Sequence, residues 1–330
     1  MERSMSSENI LEIRDLHTSF FTDKGVVRAV NGVDLTIPHG KIVGLVGESG
    51  CGKSMTARSV MGLLRYPGRI ESGSIRLGDR ELVGLSEKEL RSICGEDVSM
   101  IFQEPLTSLN PVLRAGHQVQ EALLVHKKAS SKAEAKKKTI EMFEKVGIPE
   151  PERRFSSYPH ELSGGLRQRV MIAMAMVCSP RLLIADEPTT ALDVTIEAQI
   201  LRLMKQLCTE QGMSILIITH NLGVVAEICD YVYVMYAGKI VEHAPVFDLF
   251  DNPKHPYTKG LMASIPRISL PREYLHTIPG SVPNLLKLGT GCAFCNRCDS
   301  ASQRCREEQP EMKQEDESHW YRCFLETADE

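Results

Sequence analysis

The chain has 330 residues, 42% of them hydrophobic and 25% charged, with a formal net charge of −4. That length admits one large domain with an appendage, or two domains, and the composition is that of an ordinary globular protein. The near-neutral balance argues against wholesale nucleic-acid binding, and no apolar run approaches the ~20 residues of a membrane helix. The N-terminus, MERSMSSENI, lacks the apolar core of a signal peptide. The expectation is a cytosolic chain that reaches any membrane through a partner.

In chain order, Leu11 to Phe21 and Val26 to Ile37 alternate apolar and polar residues around an Asp23-Lys24-Gly25 turn, the pattern of a hairpin. Lys41 to Val46 predicts a short buried strand, and a helix is predicted from about Lys53 to Arg65. Val98 to Phe102 reads as another strand. From Leu106 to about Arg169 the pattern is helical, with Ile140, Phe143 and Val146 at helical spacing. Lys136-Lys137-Lys138 beside them is read as a solvated helix surface. Strands are predicted again at Leu182 to Ala185 and Ile215 to Ile218, and Val232 to Val241 as a further hairpin. Strands alternating with helices imply a mostly parallel α/β sheet covered on both faces. After about residue 245 prolines multiply (Pro253, Pro256, Pro266, Pro271, Pro279, Pro283) and periodicity fades, so a domain boundary is placed there.

Between the buried strand and its helix lies Gly47-Glu48-Ser49-Gly50-Cys51-Gly52-Lys53-Ser54, which fits the phosphate-loop pattern G-x-x-x-x-G-K-[ST]. Glycines let successive backbone N–H groups turn inward around phosphate oxygens, and the helix adds its positive end. Lys53 is placed to reach the β- and γ-phosphates and Ser54 to hold Mg²⁺; Met55 follows in the helix. A second candidate is the apolar run ending in Asp186-Glu187. Asp186 is placed to hold Mg²⁺ through water, and Glu187 to orient and deprotonate the attacking water.

Leu162-Ser163-Gly164-Gly165-Leu166-Arg167-Gln168-Arg169, some twenty residues before Asp186, resembles the signature of the ATP-binding cassette (ABC) ATPases. The resemblance covers residues 8 to about 245. It implies a P-loop NTPase cassette: a mostly parallel RecA-like core, an antiparallel β subdomain and an inserted helical subdomain at about 104–165. In that family Gln103 matches the glutamine sensing Mg²⁺ and water. Asp193 matches the loop that crosses to the partner, and His220 the switch histidine. Phe20, or else Phe21, resembles the aromatic that stacks on adenine. Asn221 stands where many relatives carry aspartate. Ser163, Gly164, Gly165 and Asp193 are then expected to act on ATP bound by a second ATPase subunit.

The tail narrows the resemblance. Asn252-Pro253-Lys254-His255-Pro256-Tyr257-Thr258 and Ile278 to Asn284 look like segments of dipeptide and oligopeptide permease ATPases, partly shared with nickel importers. Residues 246–330 are therefore expected to form a C-terminal extension. The chain has ten cysteines. Cys51, Cys94, Cys178, Cys208 and Cys229 read as small core or loop residues. Cys292, Cys298, Cys305 and Cys323 match the family's cysteine motif, which implies a [4Fe–4S] cluster; Zn²⁺ and no metal are the alternatives, and Cys295 a substitute ligand. The resemblance implies an ATP- and Mg²⁺-dependent ATPase powering peptide import. Its partners would be a second, different ATPase chain, two membrane-spanning permease subunits and an extracytoplasmic solute-binding protein, with no nucleic acid. It would sit peripherally on the cytoplasmic face of a prokaryotic inner membrane. Other readings are an importer of nickel or another solute, a soluble ABC protein acting on ribosomes or DNA, and a metal-sensing module.

Overall fold

The computed structural model describes residues 8–103, 108–189, 194–265 and 277–325. Its strands are β1 (Asn9–Thr22), β2 (Gly25–Pro38), β3 (Ile42–Val46), β4 (Gly68–Leu77), β5 (Arg80–Glu81), β6 (Val98–Ile101), β7 (Leu182–Asp186), β8 (Ser214–Thr219), β9 (Tyr231–Tyr236), β10 (Lys239–Pro245), β11 (Lys313–Gln314) and β12 (Trp320–Tyr321). The chain divides into two compact units. One comprises Met1–Ile10, Ile37–Ile42 and Gly84–Ile217; the other comprises Leu11–Thr36, Val43–Val83 and Ile218–Glu330.

In the first unit β7 is flanked by β6 and β8, and β6 pairs with β7 in parallel. Every residue of these three strands is buried. This explains why they read as unbroken apolar runs: a parallel strand covered on both faces has no polar side to show. The expected helical stretch resolves into Ala115–Val125, Lys132–Lys145, Pro151–Phe155 and Gly164–Met176. Phe143 and Val146 are buried as their spacing predicts. The lysine run is spent locally. Lys138 pairs with Glu134 at 2.8 Å and donates to the Lys128 carbonyl at 2.6 Å, while Lys136 lies over the Phe155 ring.

The second unit holds two sheets. One has the order β2-β1-β4-β5, with β4 antiparallel to both β1 and β5. The other runs β11-β12-β10-β9-β3. There β3 and β9 are parallel, and pairing is antiparallel from β9 outward. The sheet is thus mixed. β3 accepts the helix Leu222–Ile228 at close range: a Cβ on Gly44 would lie 3.2 Å from the Cys229 sulfur and 3.3 Å from Val225.

Several elements are absent from the sequence-based expectation, and for three of them the physical reason is local. Strand β4 escapes the alternation test because it bulges: its register with β1 shifts between Arg14 and Thr18, and Gly73, at φ +99°, lies so close to β1 that a Cβ would meet the Asp15 carbonyl at 2.4 Å. The helix Glu87–Ile93 opens on a reciprocal capping box between Ser86 and Glu89, a signal legible as Ser-x-x-Glu. The helix Pro256–Ala263 carries proline in its first turn, where the missing N–H costs nothing. The helix predicted to reach Arg65 ends at Val60, ahead of Gly62 at φ +64°.

Among the described residues no helix is long and apolar enough to cross a membrane. None of the ten cysteines is in a disulfide, and four of the five scattered ones are buried, Cys94 being half-buried.

Candidate functional site

The phosphate loop joins β3 to the helix Lys53–Val60 in the second unit. Its shape is fixed by close approach. Gly47 (φ +151°) passes the β9 backbone so tightly that a Cβ would sit 2.2 Å from the Met235 carbonyl oxygen. Gly52 (φ +114°) would place one 2.3 Å from the Ala29 carbonyl oxygen. Gly50 (φ +80°) has no neighbour within 4 Å and is glycine for its dihedral alone. The Gly238 N–H donates to the Cys51 carbonyl at 2.8 Å. Lys53, only 6% exposed, turns its ammonium into the loop and donates to the Gly47 and Glu48 carbonyls at 2.7 and 3.0 Å. Cys51 is fully buried, which raises its thiol pKa, so it serves as apolar filling. Ser49 is exposed, and Ser54 and Met55 are half-buried in the first turn of the helix.

Two side chains from the far end of the chain grip Glu48. The Glu48 N–H donates to the Tyr257 hydroxyl at 2.8 Å. Its carboxylate is held by both terminal nitrogens of Arg297, at 2.6 and 3.0 Å. That pairing raises the Arg297 pKa further. Nothing in the linear sequence signals this contact, since 249 positions separate the two residues.

In the first unit, β7 ends on Asp186, which is 3% exposed. The next residue, Glu187, adopts φ +48°, a left-handed conformation costing about 1–3 kcal/mol that recurs where a side chain must be aimed. The Gln103 amide N–H donates to the Glu187 carboxylate at 2.9 Å. Two of the sequence-predicted site residues therefore meet, 84 positions apart in sequence.

Ser163 caps the helix Gly164–Met176, its hydroxyl accepting from the Leu166 N–H at 3.4 Å. Ser163 and Gly164 are exposed and Gly165 half-exposed. A Cβ on Gly164 would meet nothing within 4 Å. Gln168 donates to the Pro188 carbonyl, tying this helix to the turn after Glu187. Arg169 donates to the Val146 and Gly147 carbonyls at 2.6 and 3.0 Å and to Gln199 at 2.7 Å. Asp193 lies outside the described residues.

His220, exposed, follows β8. Asn221 caps the helix behind it by accepting from the Gly223 N–H at 3.0 Å. An aspartate would cap equally well, so the departure at Asn221 leaves the position of His220 intact. Phe20 lies on Gly68, whose Cβ would collide with the ring at 2.6 Å. The Phe21 ring is covered by the Arg69 guanidinium, 4.1 Å from its centroid.

Cys292, Cys295, Cys298, Cys305 and Cys323 line one cavity with Phe294, Phe324 and His255. The Cys292 N–H donates to the Cys305 carbonyl at 2.8 Å, and a Cβ on Gly291 would meet the Cys305 and Arg306 carbonyls at 2.5 Å. Burial first, then the neighbouring sulfurs, pushes the Cys292 pKa up to about 11. Burial also raises Cys298 and Cys323. The Cys295 sulfur contacts Asn296, and the Cys305 sulfur lies 3.3 Å from the Ser302 hydroxyl. Among the described residues no group of three or more His, Cys, Asp or Glu side chains is arranged to hold a metal ion.

Two family models match the chain: ABC transporter over residues 30–190, and oligopeptide/dipeptide transporter, C-terminal region, over residues 241–305. The oligopeptide transport ATP-binding protein AppD of Bacillus subtilis is 51% identical, covering 96% of this chain and 96% of the relative. The dipeptide transport ATP-binding protein DppD of the same organism is 49% identical, covering 96% and 95%. The oligopeptide transport ATP-binding protein OppD of Salmonella typhimurium is 50% identical, covering 91% and 89%. Among solved structures, an ATP-binding cassette captured as a dimer with ADP and Pi after hydrolysis is 26% identical, with a TM-score of 0.66. The match covers 72% of this chain and 98% of the other.

Proposed function

The chain belongs to the ABC transporter ATP-binding proteins of the oligopeptide/dipeptide import family, and from that premise we propose how its residues divide the work. It is the ATPase subunit of a peptide import transporter. The loop Gly47 to Ser54 binds the triphosphate, with Lys53 on the β- and γ-phosphates. Ser54, and Asp186 through water, would hold Mg²⁺, which would offset the phosphate charge. Glu187 takes the proton from the attacking water as the water oxygen bonds to the γ-phosphorus and the bond to the β-phosphate oxygen breaks. Gln103 positions Glu187 and the water, and His220 contacts the γ-phosphate. The observation that carries this reading is the Gln103–Glu187 hydrogen bond at the end of a buried strand. The adenine stacks on Phe20, a choice supported by Arg69 already covering Phe21.

The chain acts in a dimer, with Ser163, Gly164, Gly165 and Asp193 completing the site of a second ATPase subunit. The exposed, sterically open start of the signature helix supports this, as does the dimeric state of the similar cassette. The pair sits beneath two membrane-spanning subunits on the cytoplasmic face of the membrane, fed by a solute-binding protein. Residues 1–245 form the cassette, with its helical subdomain at about 104–165, and 246–330 an extension. Purification from solubilised membranes tests the assembly: a second ATPase and multi-span proteins are expected, and ribosomal or DNA partners would contradict it. Uptake assays with a peptide panel and with nickel identify the cargo.

The cysteine cavity has the donor chemistry of an iron–sulfur cluster, five thiols around one apolar hollow. Cys292, Cys298, Cys305 and Cys323 would be the ligands of a [4Fe–4S] cluster, with Cys295 as a substitute, although among the described residues their sulfurs are not arranged around a metal position. Bound there, the cluster would staple a segment poor in apolar core. The raised thiol pKa values mean that binding must release protons. Protein purified without oxygen should be coloured and carry about four irons per chain. Zinc in its place, or neither metal, would refute the cluster.

A further inference from the structure

The cysteine loop reaches the phosphate loop through one side chain. Arg297 ends the short turn Cys295–Arg297, between two of the thiol-bearing residues. Its guanidinium is buried, with 5% of the side chain exposed. Nε donates to the Pro279 carbonyl at 2.8 Å, and one terminal nitrogen donates to the Ile278 carbonyl and the other to the Tyr236 hydroxyl, both at 3.3 Å. The rest of the fork closes on both carboxylate oxygens of Glu48. The arginine is therefore aimed from behind by fixed acceptors, and its remaining donors meet a carboxylate inside the phosphate loop.

Glu48 puts a carboxylate inside a loop that receives a triphosphate. Like charges brought together repel, and more strongly beside a protein surface than in open water. A bidentate arginine cancels that charge and fixes the carboxylate's direction, which a lysine's single point charge does less well. Tyr257 meanwhile fixes the backbone of the same residue.

We propose that Arg297 is a positioning residue for ATP binding: it neutralises Glu48 and holds the phosphate loop in its receptive shape, so that the cysteine loop sets the affinity of the nucleotide site. The proposal needs only the binding of ATP by the phosphate loop and holds with or without a metal at the cysteines. It predicts the sign of a rescue. With Arg297 removed, the exposed Glu48 charge repels ATP; removing that charge as well restores binding. An arginine serving only as packing would not be rescued this way.

The test is equilibrium binding of Mg·ATP to the full-length chain, with turnover measured in the assembled transporter. Arg297→Met should weaken ATP binding about tenfold, equivalent to about 1.4 kcal/mol. Arg297→Lys should fall between it and wild type, and Arg297→Met with Glu48→Gln should recover most of the loss. In the transporter the Arg297→Met defect should appear in KM for ATP, leaving kcat within about twofold. Wild-type ATP affinity in Arg297→Met, or an affinity that stays low when Glu48→Gln is added, would overturn the proposal. Should Arg297→Met fail to fold, Arg297→Lys with and without Glu48→Gln decides by the same criterion.

Discussion

The phosphate loop and the cysteine loop belong to the same unit, yet they are held by different means. The phosphate loop is shaped by its backbone: Gly47 and Gly52 pass within van der Waals reach of the Met235 and Ala29 carbonyls, where no side chain fits. The cysteine loop and the strands beside it are held by side-chain hubs. Besides Arg297, Glu242 is fully buried on β10 and accepts from the Lys254 and His255 N–H groups at 2.6 and 2.9 Å, and contacts the His319 ring at 2.7 Å. Backbone-shaped sites leave a glycine pattern in sequence. Side-chain hubs leave single charged residues scattered over long separations, with no pattern at all.

The largest expected effect falls on the chemistry at β7. Glu187→Gln should keep ATP binding but lower phosphate release by about 10²-fold or more in the assembled transporter, the scale of a lost general base. Unchanged turnover would move the base elsewhere.

Next come two substitutions that set the two kinds of loop side by side. Gly47→Ala should abolish ATP binding, because the new methyl meets the Met235 carbonyl at 2.2 Å and the backbone must move. Titration with labelled ATP reads this directly. Glu242→Leu orphans two buried backbone donors and the His319 ring, each costing about 1–3 kcal/mol, so a loss of about 3 kcal/mol or more is expected in denaturant unfolding. A loss under about 1 kcal/mol would mean Glu242 is no hub.

The smallest effects sharpen the comparison. Tyr257→Phe removes the acceptor of the Glu48 N–H and should cost about 1–3 kcal/mol with a modest loss of ATP affinity. The pH dependence adds a second readout. Burial lowers His243 and His255 from 6.5 to about 4, so both stay neutral in the fold and take up protons on unfolding. Their contribution is fully present above pH 6.5 and is lost as pH falls toward about 4. Urea midpoints measured across that window should therefore decline with acid, and variants with glutamine at 243 and 255 should flatten the slope.

Much of the fold was legible in the sequence, for a physical reason. The buried parallel strands must be apolar on both faces, so β3, β7 and β8 stand out as unbroken runs. The phosphate loop, Asp186-Glu187 and Ser163-Gly164-Gly165 are short and local, and their geometry is carried by residue type. What the sequence hid was non-local or irregular. β4 breaks its alternation at the Gly73 bulge. The helix Pro256–Ala263 sits in a proline-rich stretch that reads as loop, though a proline in the first turn is itself a helix start. The Ser86–Glu89 box, by contrast, is local and readable as Ser-x-x-Glu. The left-handed turn of Glu187 and the grip of Arg297 and Tyr257 on Glu48 required coordinates.

The most direct measurement is peptide uptake by the assembled transporter in proteoliposomes with this subunit carrying Lys53→Met, alongside ATP binding to the same subunit. Loss of both nucleotide binding and ATP-driven uptake is predicted. Uptake that continues while this subunit no longer binds ATP would contradict the account.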